Sequence, residues 1–398
     1  MSLEPPTVGI YVQVPFCASK CSFCNFSSGV ERETVIASYC RCLAQEIDGL
    51  ARHYTERSIP LEVLALPVDS LYVGGGTPTL LGPGRLGDLG ASLRAHFRWT
   101  DSLEFTLETT PGSVDSDDLL ALRRRGVNRL SIGAQAFDDG ELRAVGRLHS
   151  AADTRELVAQ ARAAGFQNIS LDLIAGLPLQ TEASFRASLE TTAHLRPEHV
   201  SLYIFEIDEK SRLGREVVHG GKRYRAAAVP SEEFMGEAYE AGREFLAREG
   251  YLQYEISNFA LPGYESRHNR KYWQLDPYVG LGAGAHSFDG ARRWANRVDA
   301  REYVARLEAG KPIIEDLRVL SVEEQVEEFF FLGLRELKGV DLGRARERWG
   351  RNHLDLWEEK IRALARAERV VFDGDQVRMP PGACLVSNEI LQEFVSLA

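Results

Sequence analysis

Short apolar, β-rich segments recur through the first half of the chain, each separated from the next by a stretch long enough for one helix. Strands read near Val8–Val14, Leu71–Val73, Leu103–Leu107, Arg129–Gly133, Ile169–Leu173 and Val200–Phe205. Helical patterns fall between them at Arg32–Tyr54, Gly84–His96, Ser116–Arg125, Ala152–Ala164 and Glu182–Leu195. In Arg155–Ala164 the apolar residues return every three or four positions, the spacing of a helix laid against a sheet. A parallel strand pair needs such a crossover, so the rhythm predicts six consecutive parallel β/α units. With no seventh or eighth unit, the expected α/β fold is a partial (β/α)6 barrel. A doubly wound open sheet gives the same spacing and stays open as an alternative.

The rhythm breaks after Phe205. Ile207–Pro230 reads as a charged, glycine-containing loop, and Ser231 as the cap of a long helix ending near Arg248. Tyr251–Gly290 is dense in Tyr, Gly, Asn and His and shows no helical period. Helical patterns return at Arg301–Ala309, Ser321–Leu337, Asp341–Trp349 and Leu354–Ala365. Val370–Phe372 and Gln376–Met379 flank an Asp-Gly-Asp turn and predict a short hairpin, followed by a last helix from about Asn388. The expected division is a barrel over 1–230, a barrel extension over 231–300, and a mainly helical, winged-helix-like module over 301–398.

A net charge of −11 from 47 basic and 58 acidic residues disfavours broad binding to nucleic acid or an anionic membrane. No apolar run reaches the ~18–20 residues that span a bilayer, and the first residues lack a basic-then-apolar signal pattern. The expectation is a soluble cytoplasmic protein that reaches any membrane target through a protein partner. Six cysteines are too few for a disulfide scaffold, and three of them, Cys17, Cys21 and Cys24, crowd together as CxxxCxxC directly after the first strand.

Soft thiolates at this spacing can hold three irons of a 4Fe–4S cluster and leave the fourth open to a small molecule. A closed zinc site is the alternative, but it takes four ligands, and no further Cys or His lies close by. Cys40, Cys42 and Cys384 read as small apolar residues. In a parallel β/α sheet, ligands meet the C-terminal strand ends. Those ends carry Gly74-Gly75-Gly76-Thr77-Pro78, Glu108, Gln135, Asp172 and Glu206. The triple glycine lets backbone approach a ligand without an intervening Cβ. Glu108 and Asp172 suit an ammonium or a ribose diol, and Arg147 suits a carboxylate.

These residues resemble a family. CxxxCxxC, GGGTP and the strand-end polar set are similar to radical S-adenosylmethionine (SAM) enzymes. Within these the chain resembles the group of oxygen-independent coproporphyrinogen III oxidase and its relatives, the HemW haem chaperones. The resemblance runs from Tyr11 in YVQVPFC through GGGTPT, NRLSIGAQAF with GRLH following, NISLDLIAGLPLQT and YEISNFA to HNRKYWQLDPYVGLGAGAHSF. It implies a radical SAM barrel whose Cys17, Cys21 and Cys24 hold a 4Fe–4S cluster. It implies SAM contacts from Tyr11, Phe23, Gly75, Gly76, Thr77, Glu108, Gln135, Arg147 and Asp172. The oxidase has a further cysteine where this chain has Phe26, which argues against porphyrinogen decarboxylation. Gln13 stands where the group usually has a titratable His.

The HNxxYW segment, His268 to Trp273, resembles HemW specifically, and makes His268 the candidate haem ligand, with His286 a second. Read from the residues alone, His268 equally suits a hydrogen-bonded loop position with Tyr272 and Trp273 as packing anchors. The resemblance implies a haem chaperone with haem as cargo and a haem-requiring respiratory membrane protein as recipient. The competing expectation is a radical SAM methyltransferase or cyclopropane-forming enzyme acting on a small molecule; coproporphyrinogen oxidation is the least supported of the three.

Overall fold

The computed structural model describes residues 6–380 and 382–395. Six strands, β1 (Val8–Val14), β2 (Val68–Gly75), β3 (Trp99–Thr109), β4 (Arg129–Gln135), β5 (Ile169–Ala175) and β6 (His199–Ile204), lie side by side in chain order. All five pairings among them are parallel. A doubly wound sheet reverses its strand order at a switch point, and this one does not. The architecture is therefore the partial α/β barrel.

Alternation along each strand explains both layers. On β1, Val8, Ile10, Val12 and Val14 are fully buried and face the helix Glu33–Glu56, which offers Ile36, Tyr39, Leu43 and Ile47. The intervening Gly9, Tyr11 and Gln13 turn to the barrel interior. Inward positions of the other strands are polar at the same period of two: Arg129, Ser131, Gly133 and Gln135 on β4, Ser170 and Asp172 on β5, His199 and Ser201 on β6. Helices return over the outer face with side-chain caps, as where Ser150 and Thr181 each close a capping box.

The sheet extends beyond these six strands. β8 (Asn258–Ala260) adds antiparallel to β6, and β7 (Leu252–Gln253) antiparallel to β8 at the edge. β9 (Tyr278–Leu281) adds parallel to β1, and β10 (His286–Phe288), β11 (Arg292–Asn296) and β12 (Ile314–Val319) continue outward antiparallel. Two expectations are corrected here. Ile207–Pro230 is not all loop: it holds a helix at Arg212–Val218, capped by Ser211. Tyr251–Gly290 contains a helix, Arg267–Gln274, capped by Ser266. Its two turns are too short for a visible period, and its buried residues are His268 and Lys271 rather than aliphatics. The Ser231 cap, the hairpin and the final helix are present, with β13 (Val340–Asp341) completing a small sheet with β14 (Val371–Asp373) and β15 (Gln376–Arg378). Val326, Phe330, Leu334, Ile361 and Phe394 form a second core beneath it.

Candidate metal and cofactor centre

β1 delivers the chain to the barrel mouth, where the cysteine loop begins. Lys20 Nζ donates to the carbonyls of Phe26 (2.6 Å) and Ser28 (2.9 Å), closing the loop on itself. The Ser22 N–H donates to the Val145 carbonyl at 3.0 Å, and the Leu213 N–H to that of Ser22 at 2.8 Å, tying the loop to the opposite wall. Beside it the triple glycine leaves β2. Gly75 has φ +113°, which side-chain-bearing residues rarely adopt. A Cβ on Gly76 would overlap the Phe16 carbonyl and stand 2.9 Å from Cys17 Sγ, so only glycine lets β2 approach the sulfur this closely.

The loop, Gly75–Thr77 and the strand ends enclose one cavity of about 480 Å³. Cys17, Cys21 and Cys24 line it together with Phe23, Gly75, Gly76, Thr77, Glu108, Gln135, Arg147, Asp172 and Glu206. Tyr11 does not. Its ring lies below, 6.0 Å from that of Tyr72 and 6.2 Å from that of His268, and its hydroxyl donates to Gln13 Oε1 at 2.6 Å. The lining also includes Tyr72, Arg129, Ser131, His199, Ser201 and Asn269, which reading strand ends alone misses. The available signal was polar residues at every second position in strands that otherwise read as apolar runs.

Electrostatics separate the polar groups into spent and unspent. Glu108 is half-buried and faces the cavity. Its Oε1 accepts from Tyr72 (2.8 Å) and its Oε2 from the Gly75 N–H (2.9 Å), yet burial pushes its carboxyl up to about 7. Burial also raises Asp172, against hydrogen bonds from Ser201 and Ser131 and the nearby Arg129 charge. Arg147 reaches the mouth, its NH2 donating to the Gly133 carbonyl at 2.7 Å and its NH1 lying 3.5 Å from Cys21 Sγ. Gln135 ends β4 at φ +67°, an uncommon conformation for a residue with a side chain.

The donor set suits an iron–sulfur cube: three cysteines on one loop, all free, with a glycine-lined approach and a cation beside one sulfur. Among the described residues no three Cys, His, Asp or Glu side chains are gathered tightly enough for a single ion. A cube relaxes that demand, since each thiolate holds a different iron.

His268 is placed elsewhere. It is 1 % exposed and absent from the cavity lining. Nδ1 bonds Ser70 Oγ at 3.0 Å, Nε2 bonds the Tyr272 hydroxyl at 2.9 Å, and its backbone N–H donates to Glu104. Burial drives its pKa down to about 3, so the ring is neutral. Ligating iron would require surrendering one of those two ring bonds. The helix carrying it closes the barrel floor, with Lys271 paired to Asp69 at 2.9 Å. His286 is exposed on β10, also outside the cavity.

A Radical SAM superfamily model matches residues 11–192, and a HemN C-terminal domain model matches residues 320–386. The chain is 33 % identical to the haem chaperone HemW of Bacillus subtilis over 97 % of this chain and 98 % of that protein. It is 31 % identical to HemW of Lactococcus lactis over 97 % and 96 %. The solved structure of the coproporphyrinogen III oxidase HemN from Escherichia coli, a radical SAM enzyme, superposes with a TM-score of 0.84 at 25 % identity, covering 99 % of this chain and 91 % of that one. With identity at this level running nearly end to end through both chains, this protein belongs to the HemW family of the radical SAM superfamily.

Proposed function

We propose that the protein is a haem chaperone that carries a 4Fe–4S cluster and SAM at the barrel mouth and delivers haem to a haem-requiring respiratory membrane protein. The observation that carries this reading is the convergence of Cys17, Cys21 and Cys24 with Gly75–Thr77, Glu108, Gln135, Arg147 and Asp172 on one cavity, in a chain alike to HemW along its length. Cys17, Cys21 and Cys24 would hold the cluster. Thr77 and the glycine backbone would take the methionine part of SAM, Arg147 a carboxylate, and Glu108 and Asp172 an ammonium or hydroxyls. When bound, the cluster supplies the electron for reductive chemistry on SAM; the chain's part is to orient the sulfonium and keep water away. Phe26, 66 % exposed on the cysteine loop, occupies the place of the oxidase's extra cysteine and supports a role other than porphyrinogen decarboxylation. No described helix is long and apolar enough to cross a membrane, so hand-over to a membrane recipient would run through protein contact.

The floor of the cavity favours a second reading, radical SAM chemistry on a small molecule, because its polar groups extend below the SAM-type set. Titrating haem into anaerobically reconstituted protein decides between them. The chaperone reading expects a Soret band saturating near one haem per chain. Indifference to micromolar haem, with steady formation of 5′-deoxyadenosine and a modified small molecule, would overturn it.

A further inference from the structure

Arg129 opens β4 in the NRLSIGAQAF segment and is among the largest fully buried side chains of the molecule, 1 % exposed. It lines the floor of the cavity below the strand-end set. Among the described residues its guanidinium forms no hydrogen bond or ion pair, and its Nε is buried without a partner. A guanidinium carries five donors in a planar fork, and burying that charge unmatched is costly.

The nearby acids Glu108 and Asp172 feel its charge but do not pair with it. Glu108 spends its oxygens on Tyr72 and the Gly75 N–H, and Asp172 leans on Ser131 and Ser201. Neither carboxylate forms an ion pair with Arg129 among the described residues, and the other cations lining the cavity are committed at the mouth, Arg147 to the Gly133 carbonyl and Lys20 to those of Phe26 and Ser28. A structural counter-ion would close on an acid. This one is held apart from both and faces the space a ligand would fill.

We propose that Arg129 is an anion subsite at the cavity floor, taking in its planar fork the carboxylate of a ligand bound inside the barrel. Resting on the chaperone reading, this carboxylate is a propionate of haem, since the single carboxylate of SAM belongs to Arg147 at the mouth. A propionate presents the two-oxygen edge that a guanidinium matches with paired hydrogen bonds.

Arg129→Met and Arg129→Lys, reconstituted as full-length holoprotein, are titrated with haem, haem dimethyl ester, SAM and decarboxylated SAM. In the wild type, removing the matching ligand carboxylate is expected to weaken binding roughly ten- to a hundredfold. Arg129→Met is expected to lose that discrimination, and Arg129→Lys to keep part of it. Loss confined to the haem pair supports the propionate subsite; loss confined to the SAM pair would overturn it. Wild-type discrimination retained in full by Arg129→Met, or an equal weakening of carboxylate and carboxylate-free ligands accompanied by a lower Tm, would overturn the subsite. A wild type that ignores haem would sink the chaperone reading; a wild type that binds haem and its dimethyl ester equally would sink the subsite alone.

Discussion

Glu108 shows what an interior carboxyl imposes on a fold. Its ordinary value of 4.5 rises to about 7 because desolvation outweighs two hydrogen bonds, and Glu46, more deeply enclosed at 1 % exposure, moves the same way. A carboxyl raised by folding binds its proton more tightly in the native state. Its contribution to stability is complete below the unfolded value and is lost as pH rises through about 7. The Tm of the ligand-free protein is therefore expected to fall between about pH 5 and pH 8. Glu108→Gln keeps an acceptor for the Gly75 N–H and a polar partner for Tyr72, so calorimetry should find a shallower slope in the variant. Identical slopes would contradict this assignment of charge. At His268 the geometry points to a floor residue. His268→Ala is expected to cost about 2–4 kcal/mol, from a void and from the lost partners of Ser70 and Tyr272. The Soret position of bound haem should stay where it is; a shifted band with unchanged Tm would make His268 the iron ligand after all.

At the scale of elements, the β2 end and the cysteine loop act as one unit because backbone meets sulfur there. Gly76→Ala forces a Cβ into the Phe16 carbonyl and against Cys17 Sγ. It is expected to destabilise the protein by about 1–3 kcal/mol and, more diagnostically, to lower iron and sulfide content after reconstitution. Iron content equal to wild type would show that the loop tolerates displacement. These same elements were the legible part of the chain. Strands buried on both faces announce themselves as apolar runs, and CxxxCxxC and GGGTP declare their chemistry by spacing. The sheet's wings did not, since β7 to β11 are two to five residues long and are defined by partners distant in sequence. The Arg267–Gln274 helix hid for a different reason: its buried face is made of His and Lys, satisfied by Ser70 and Asp69 from another strand. Arg129 escaped because it reads as a solvated charge until the strand register turns it inward.

Across the whole molecule, coherence comes from a few buried polar ties between distant stretches. Glu46, on the first long helix, accepts from the Gly282 N–H (2.8 Å), Asn296 Nδ2 (2.5 Å) and the Tyr303 hydroxyl (2.5 Å). Glu46→Ala strands three buried donors and is expected to cost about 3–5 kcal/mol. Hydrogen exchange should then speed up first in β9 to β11 and only later in β2 to β5; uniform acceleration would mean that the wing is not held by this tie. The account as a whole depends on an iron–sulfur cube at the barrel mouth, in contact with SAM. Anaerobic reconstitution with Mössbauer and EPR spectroscopy tests that most directly. The expected result is about four irons and four sulfides per chain, an EPR signal of the reduced cluster that changes when SAM is added, and loss of both in the Cys17→Ala/Cys21→Ala/Cys24→Ala variant. Protein that takes up no iron, or a triple variant that retains the wild-type signal, would contradict it.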